Sequence, residues 1–109
     1  MLLDRKKLYS SAKDFFMLKG SIVMKLTPDA ALDVCECAAV SGLVIARVEG
    51  GIWHFPGFEA RLDCIWDGIR PPVNFDVAER NNTVAADFIR TERAVHDAFI
   101  ITAPSLADW

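Results

Sequence analysis

Apolar side chains recur at helical spacing near the start of the chain. Residues 5–19 place them on one stripe, which predicts a possible N-terminal helix. Thr27 followed by Pro28 is typical of an N-cap with proline in the first helical position. The pattern therefore predicts a helix over 28–41, with Gly42 as its C-terminal cap.

Helical spacing returns late in the chain. Residues 67–79 contain glycine and proline and are predicted to form a loop. Asn82 or Thr83 is expected to cap the helix that follows, which ends near Val95. The predicted inward residues of this helix are Val84, Ala85, Phe88 and Val95.

Short stretches rich in β-branched and aromatic residues predict the strands. The predicted strands are 43–49, 52–55, 58–66 and 98–102. Gly50-Gly51 and Pro56-Gly57 are predicted to form the turns that join the first three. The last strand is apolar on both sides, so we expect it in the centre of the sheet.

The third predicted strand alternates with a period of two. Phe58, Ala60, Leu62, Cys64 and Trp66 alternate with Glu59, Arg61, Asp63 and Ile65. This period predicts that the first set packs on the core while the second faces water. The order α-β-β-β-α-β, plus a possible extra N-terminal helix, indicates an α+β fold. Two helices are expected on one face of an antiparallel sheet of about four strands.

Composition limits the class of protein. A chain of 109 residues with 52% hydrophobic content suits one globular domain. No stretch approaches the ~18 apolar residues of a membrane span, and no secretory signal is evident. The three cysteines, Cys35, Cys37 and Cys64, are an odd and sparse set, which favours reduced thiols and a cytoplasmic location. Cys35 and Cys37 lie two apart on a predicted helix and cannot grip the same metal ion.

Charge is distributed unevenly along the chain. Residues 1–23 hold five bases and two acids, while the remainder holds seven bases and thirteen acids, for a net charge of −3. The part after residue 23 therefore carries −6, which repels nucleic acid and favours a basic partner. A plain solubility surface is the simpler interpretation of the same charge.

Few residues suit catalysis. His54 and His96 lie on different elements without the spacing of a metal or nucleophile motif. His54 with Asp63 or Glu59 would make an acid–base pair across a hairpin, but no nucleophile motif accompanies it. We therefore expect no enzyme, no catalytic residue, no cofactor and no metal, and structural or surface roles for the cysteines and histidines.

A surface remains as the candidate site. Its predicted partner-binding residues are Glu49, Trp53, Glu59, Asp63, Trp66 and Asp67. The acids are chosen from strand phase, and tryptophan is a common interface residue. Trp66 is in phase with Leu62, which favours a core position for its ring, whereas core and surface are equally open for Trp53.

From Met24 onward the chain carries a series of short motifs: MKLTPDAALDVC, Gly42-Leu43, GGIWHFPGF, Trp66, Pro71, Asn81-Asn82 and AFIIT. In these motifs the chain resembles the immunity proteins of the colicin E-five type. Each motif is short, but their order and spacing over 24–102 are specific together. We interpret 24–109 as an immunity-protein-like domain and 1–23 as an N-terminal extension. Three interpretations of the extension are open: upstream sequence translated from an early start codon, an authentic extra helix, or a partner-specific arm. We favour the first two.

The resemblance implies an inhibitor of a ribonuclease toxin that cuts tRNA in its anticodon loop. Its partner would be the basic tRNA-cleaving nuclease domain of a toxin, with no direct contact to nucleic acid and no membrane. The acidic surface would mimic RNA in the toxin's cleft. The alternative is a small RNA- or ribosome-binding module, which would need a basic sheet studded with aromatic residues.

Overall fold

A computed structural model of the chain describes residues 2–55 and 57–107. The helices in this part are α1 (Ala12–Leu18), α2 (Pro28–Ala38) and α3 (Phe75–Glu92). The strands are β1 (Leu8–Tyr9), β2 (Lys25–Leu26), β3 (Arg47–Trp53), β4 (Phe58–Asp67) and β5 (Ala98–Thr102). The α+β class is confirmed.

The described strands form one sheet in the order β1-β2-β5-β3-β4. β1 and β2 pair in parallel, and the other neighbours pair antiparallel. β5 lies in the centre, as predicted, and its Phe99 and Ile101 are buried. α2 and α3 pack on each other and cover one face of the sheet, and no helix of residues 2–55 and 57–107 covers the opposite face of β3, β4 and β5. We call this opposite face the helix-free face.

Local sequence explains where α2 begins. The Thr27 hydroxyl accepts a hydrogen bond from the Ala30 N–H, and Pro28 is the first helical residue, as predicted. The helix ends earlier than expected, at Ala38, and Gly42 lies in the following turn with a φ of 79°.

The N-terminal segment differs from the single helix predicted over 5–19. Leu8–Tyr9 forms β1, and Ser11 caps the seven-residue α1. Serine at this position favours a helix start because its hydroxyl accepts the Lys13 N–H. Tyr9 and Phe15 are buried in the same core as the rest of the chain. The division at residue 24 stays a prediction.

Gly50-Gly51 forms no turn, which corrects the prediction of a hairpin there. β3 runs through both glycines. Position 50 requires glycine, because a side chain there would overlap the Cys64 sulfur and the Phe99 ring. The chain reverses after β3, where the His54 N–H donates to the Gly57 carbonyl over 2.8 Å. Pro56, half of the second predicted turn, lies outside the described residues.

β4 contains a wide bulge. Glu49 pairs with Ile65 and Gly51 pairs with Ala60, so residues 61–64 lie opposite a single residue of β3. Because four residues of β4 lie opposite one residue of β3, β4 contains an odd number of extra residues. An odd insertion moves the following side chains to the other face of the sheet.

The predicted alternation over 58–66 is therefore wrong in its first half. Phe58 and Ala60 lie on the helix-free face, and Leu62 is exposed. Beyond the bulge, Cys64 and Trp66 face the helices, where Cys64 is buried and Trp66 partly buried. The prediction assumed an unbroken period of two, and the bulge interrupts it.

α3 begins earlier than predicted. Asn74 caps it by accepting the Val77 N–H, so the predicted loop over 67–79 is wrong in its last third. Asn82 lies in the middle of the helix and is buried. Of the predicted inward residues, Ala85 is buried and Phe88 partly so, whereas Val84 and Val95 are 50% and 68% exposed.

Candidate functional site

The hairpin of β3 and β4 exposes large apolar side chains at the edge of the sheet. β4 pairs with β3 and with no other described strand. Phe55, in the connection, is 94% exposed, and Leu62, in the bulge, is 89% exposed. Large apolar side chains exposed on one hairpin suit contact with a partner. We call Trp53, Phe55, Glu59, Leu62 and Asp63 the hairpin surface.

Two of the predicted acids lie on the helix-free face near the base of the hairpin. Arg47 stands between them, with its Nε 3.9 Å from a Glu49 carboxylate oxygen and its Nη1 3.7 Å from Asp67. Cross-strand pairing of Arg47 with Asp67 brings these groups together. Part of this negative charge is therefore neutralised within the chain.

Glu59 lies on the opposite side of the hairpin from Glu49. It pairs with His54 over 2.7 Å, Nε2 to Oε1, and with the Arg61 Nε over 3.0 Å. The hydrogen bond from His54, followed by the charge of Arg61, holds the pKa of Glu59 below its ordinary value of 4.5. The histidine–carboxylate pair considered from the sequence thus forms between two exposed side chains near the hairpin tip.

Asp63 is the least engaged of the predicted acids. It is exposed in the bulge beside Leu62, and within 2–55 and 57–107 no hydrogen bond or ion pair engages its carboxylate. A free carboxylate beside an exposed leucine leaves both groups available to a partner.

The two predicted tryptophans differ in setting. Trp53 is partly buried at the end of β3, and its backbone N–H donates to the Asp97 carboxylate over 2.8 Å. Trp66 faces the helices opposite Val48 and packs against the core. Trp53 is therefore part of the hairpin surface, while Trp66 supports the sheet behind it.

Sequence reasoning missed Phe55 and Leu62. Phe55 precedes a predicted turn, and an aromatic residue at a turn signals exposure. Leu62 gave no such signal, because the alternation placed it on the core.

A third group of side chains meets on the helix-covered face. The Cys64 sulfur, a Glu92 carboxylate oxygen and a His96 ring nitrogen lie within 4.8 Å of one another. His96 Nδ1 is 3.2 Å from Glu92 Oε1. Burial, then the hydrogen bond to Glu92, raises the pKa of the Cys64 thiol to about 12. The sequence did not reveal this group, because Cys64 is far from the other two along the chain.

Comparison with known proteins places this fold in a family. The family described as Colicin-E5 Imm protein matches residues 24–103. The chain is 62% identical to the Immunity protein CdiI of Burkholderia pseudomallei over 109 residues, 100% of both chains. It is 38% identical to the Colicin-E5 immunity protein of Escherichia coli over 80 residues, 72% of this chain and 96% of that one. The chain belongs to the colicin E5 immunity family.

Membership gives the role in general form: immunity proteins of this family inhibit toxins, and their family name describes no enzyme. The family match over 24–103 spans β2 to β5 and so includes the whole hairpin. β1 and α1 lie before it, while the match to the Burkholderia immunity protein extends through them. Among the helices of the described residues, none has the length and apolar content needed to cross a bilayer.

Proposed function

We propose that this immunity protein binds the tRNA-cleaving nuclease domain of a toxin in the cytoplasm and blocks the cleft that holds RNA. The observation that carries the proposal is the hairpin surface, where the exposed Asp63 carboxylate follows the exposed Leu62 in the bulge, and Phe55 is exposed in the connection between the strands. Family membership supports a toxin as the partner.

The chemistry of an RNA cleft explains why such a surface would fit. A cleft that binds phosphates is lined by arginine and lysine. Carboxylates placed where phosphates would lie form charge-assisted hydrogen bonds to those side chains. An aromatic ring, such as that of Phe55 or Trp53, replaces a stacked base.

The placement of the acids favours insertion of an edge over the docking of a flat face. Glu49 and Asp67 lie on the helix-free side of the hairpin, and Glu59 lies on the other side. Carboxylates on both sides of one sheet edge would contact both walls of a cleft that received the hairpin. In this proposal Trp66 holds β4 in place from behind.

The test is tRNA cleavage by the nuclease domain encoded beside this gene, with and without one equivalent of the protein. We expect stoichiometric protection of the anticodon loop, and weaker protection by Asp63→Lys combined with Leu62→Ser. Asp33→Lys combined with Val84→Ser, which changes the same residue types at exposed helical positions, is the matched control. Equal loss in both double variants would place the interface elsewhere.

The alternative, an RNA- or ribosome-binding module, rests on the basic side chains near the N-terminus. Arg5, Lys6 and Lys25 line a concavity on the helix-free face together with Phe58. Undiminished cleavage in the test above, together with an electrophoretic shift of tRNA by the protein alone, would favour this alternative.

A further inference from the structure

Cys64, Glu92 and His96 bring together three types of metal ligand. One sulfur, one carboxylate oxygen and one imidazole nitrogen lie within 4.8 Å of one another, on two buried residues and one partly buried residue. Zinc binds these three donors, and about 2.0–2.3 Å per bond in tetrahedral geometry separates the donor atoms by about 3.3–3.8 Å. Small rotations of the side chains would close the remaining gap.

Two features of β3 and β4 make room for the Cys64 sulfur. Cys64 is the last residue of the bulge, so its side chain turns to the helix-covered face. Gly50, opposite, has no side chain, and a Cβ there would overlap the Cys64 sulfur.

The other two ligands come from the end of α3. Glu92 is the last residue of the helix, and His96 follows one turn later. The His96 N–H donates to the Glu92 carbonyl over 2.9 Å, which holds this turn closed and both side chains on one side. His96 Nδ1 and Glu92 Oε1, 3.2 Å apart, already lie close to the spacing of two ligands on one ion.

We infer that Cys64, Glu92 and His96 bind one zinc-type divalent cation, with the fourth coordination position open to water. On binding, the Cys64 S–H gives its proton to solvent and the sulfur coordinates the ion as thiolate. The ion would tie the bulge of β4 to the end of α3 and stabilise the hairpin from behind. This inference does not depend on which toxin the protein binds.

The experiment uses the full chain, stripped of metal with a chelator, and titrates Zn²⁺ against a chromophoric competitor. We expect one equivalent to bind. Co²⁺ in its place should give sulfur-to-cobalt charge-transfer absorption, because a thiolate is among the ligands. No stoichiometric binding, or cobalt binding without that absorption, would overturn the inference.

Variants assign the ligands. Cys64→Ser should abolish the charge-transfer absorption, and His96→Gln should weaken Zn²⁺ binding by more than about tenfold. Cys37→Ser and His54→Gln, which alter an exposed thiol and an exposed imidazole, should change neither. Circular dichroism shows whether each variant is folded. If Cys64→Ser does not fold, the His96→Gln variant provides the test. Retained absorption in Cys64→Ser, or equal loss in the controls, would exclude the site.

Discussion

Asn82 shows how one buried amide fixes a segment that has no secondary structure. Its Oδ1 accepts the Ile45 N–H over 2.8 Å, and its Nδ2 donates to the Leu43 carbonyl over 3.2 Å. Asn81 adds a hydrogen bond from its Nδ2 to the Ile45 carbonyl. The pair thus holds residues 43–46, which lead into β3, against the middle of α3.

Replacing Asn82 with alanine should destabilise the protein by about 1–3 kcal/mol, because a buried backbone N–H loses its partner. Urea unfolding measures the change. Thr83→Ala, at an exposed neighbouring position whose hydroxyl bonds only the Glu79 carbonyl, should stay within about 0.5 kcal/mol of the parent. Equal effects would mean that the Asn82 hydrogen bonds contribute nothing beyond helix propensity.

The lowered pKa of Glu59 predicts how stability depends on pH. Its pKa is held below 4.5 by His54 and Arg61, so the contribution of this pairing to stability is fully present above pH 4.5 and is lost as pH falls through the lowered pKa. An NMR titration of the Glu59 carboxyl carbon should show the lowered value. His54→Gln should move it back toward 4.5, and an unchanged value in that variant would assign the shift to Arg61 alone.

At the scale of elements, the strength of the local signal decided which predictions held. Thr27-Pro28 predicted the start of α2 correctly, because the Thr27 cap and the fixed φ of Pro28 act within a few residues. α3 was misplaced because Asn74 and Asn82 are both capable N-caps, and only the tertiary structure shows that Asn82 caps nothing and bonds the chain before β3.

The candidate site was predictable only in part, for the same reason. Strand phase predicted that Asp63 faces water, and Asp63 is exposed within the bulge; Trp53, left open between core and surface, is partly buried. The separation of Glu49 and Glu59 onto two sides of the hairpin depends on the pairing of β3 with β4 around the bulge. Pairing register is a long-range property, and the sequence near either residue does not encode it.

The bulge predicts a specific role for Leu62. Leu62→Ser should leave the free energy of unfolding within about 0.5 kcal/mol of the parent, because the side chain is 89% exposed. Toxin binding should weaken by about tenfold or more if the side chain fills a pocket of the partner. Calorimetric titration with the nuclease domain measures this, and Val84→Ser, half-exposed on α3, is the control. Equal affinities for both variants would remove Leu62 from the interface.

At the scale of the whole molecule, acidic side chains are concentrated on the outermost strand of the sheet. β4 carries Glu59, Asp63 and Asp67 against one base, Arg61. The field of a basic partner attracts such a strand before contact.

Association with the nuclease domain should therefore slow as salt rises. Stopped-flow measurements should show a decrease of about tenfold or more between low and high ionic strength. Asp63→Lys should slow association at low salt more than Asp33→Lys, which makes the same change of charge on the exposed side of α2. Equal slowing would mean that net charge, and not the position of the charge, governs the encounter.

The bulge in β4 also affects the tendency of the protein to aggregate at high concentration. An open edge strand can add the edge of a second sheet, which is how many β-proteins begin to aggregate. Residues 61–64, set against one residue of β3, break the regular row of backbone donors and acceptors that a second strand would need. The irregularity that exposes Leu62 thus also disfavours edge-to-edge pairing of two copies of the chain along β4.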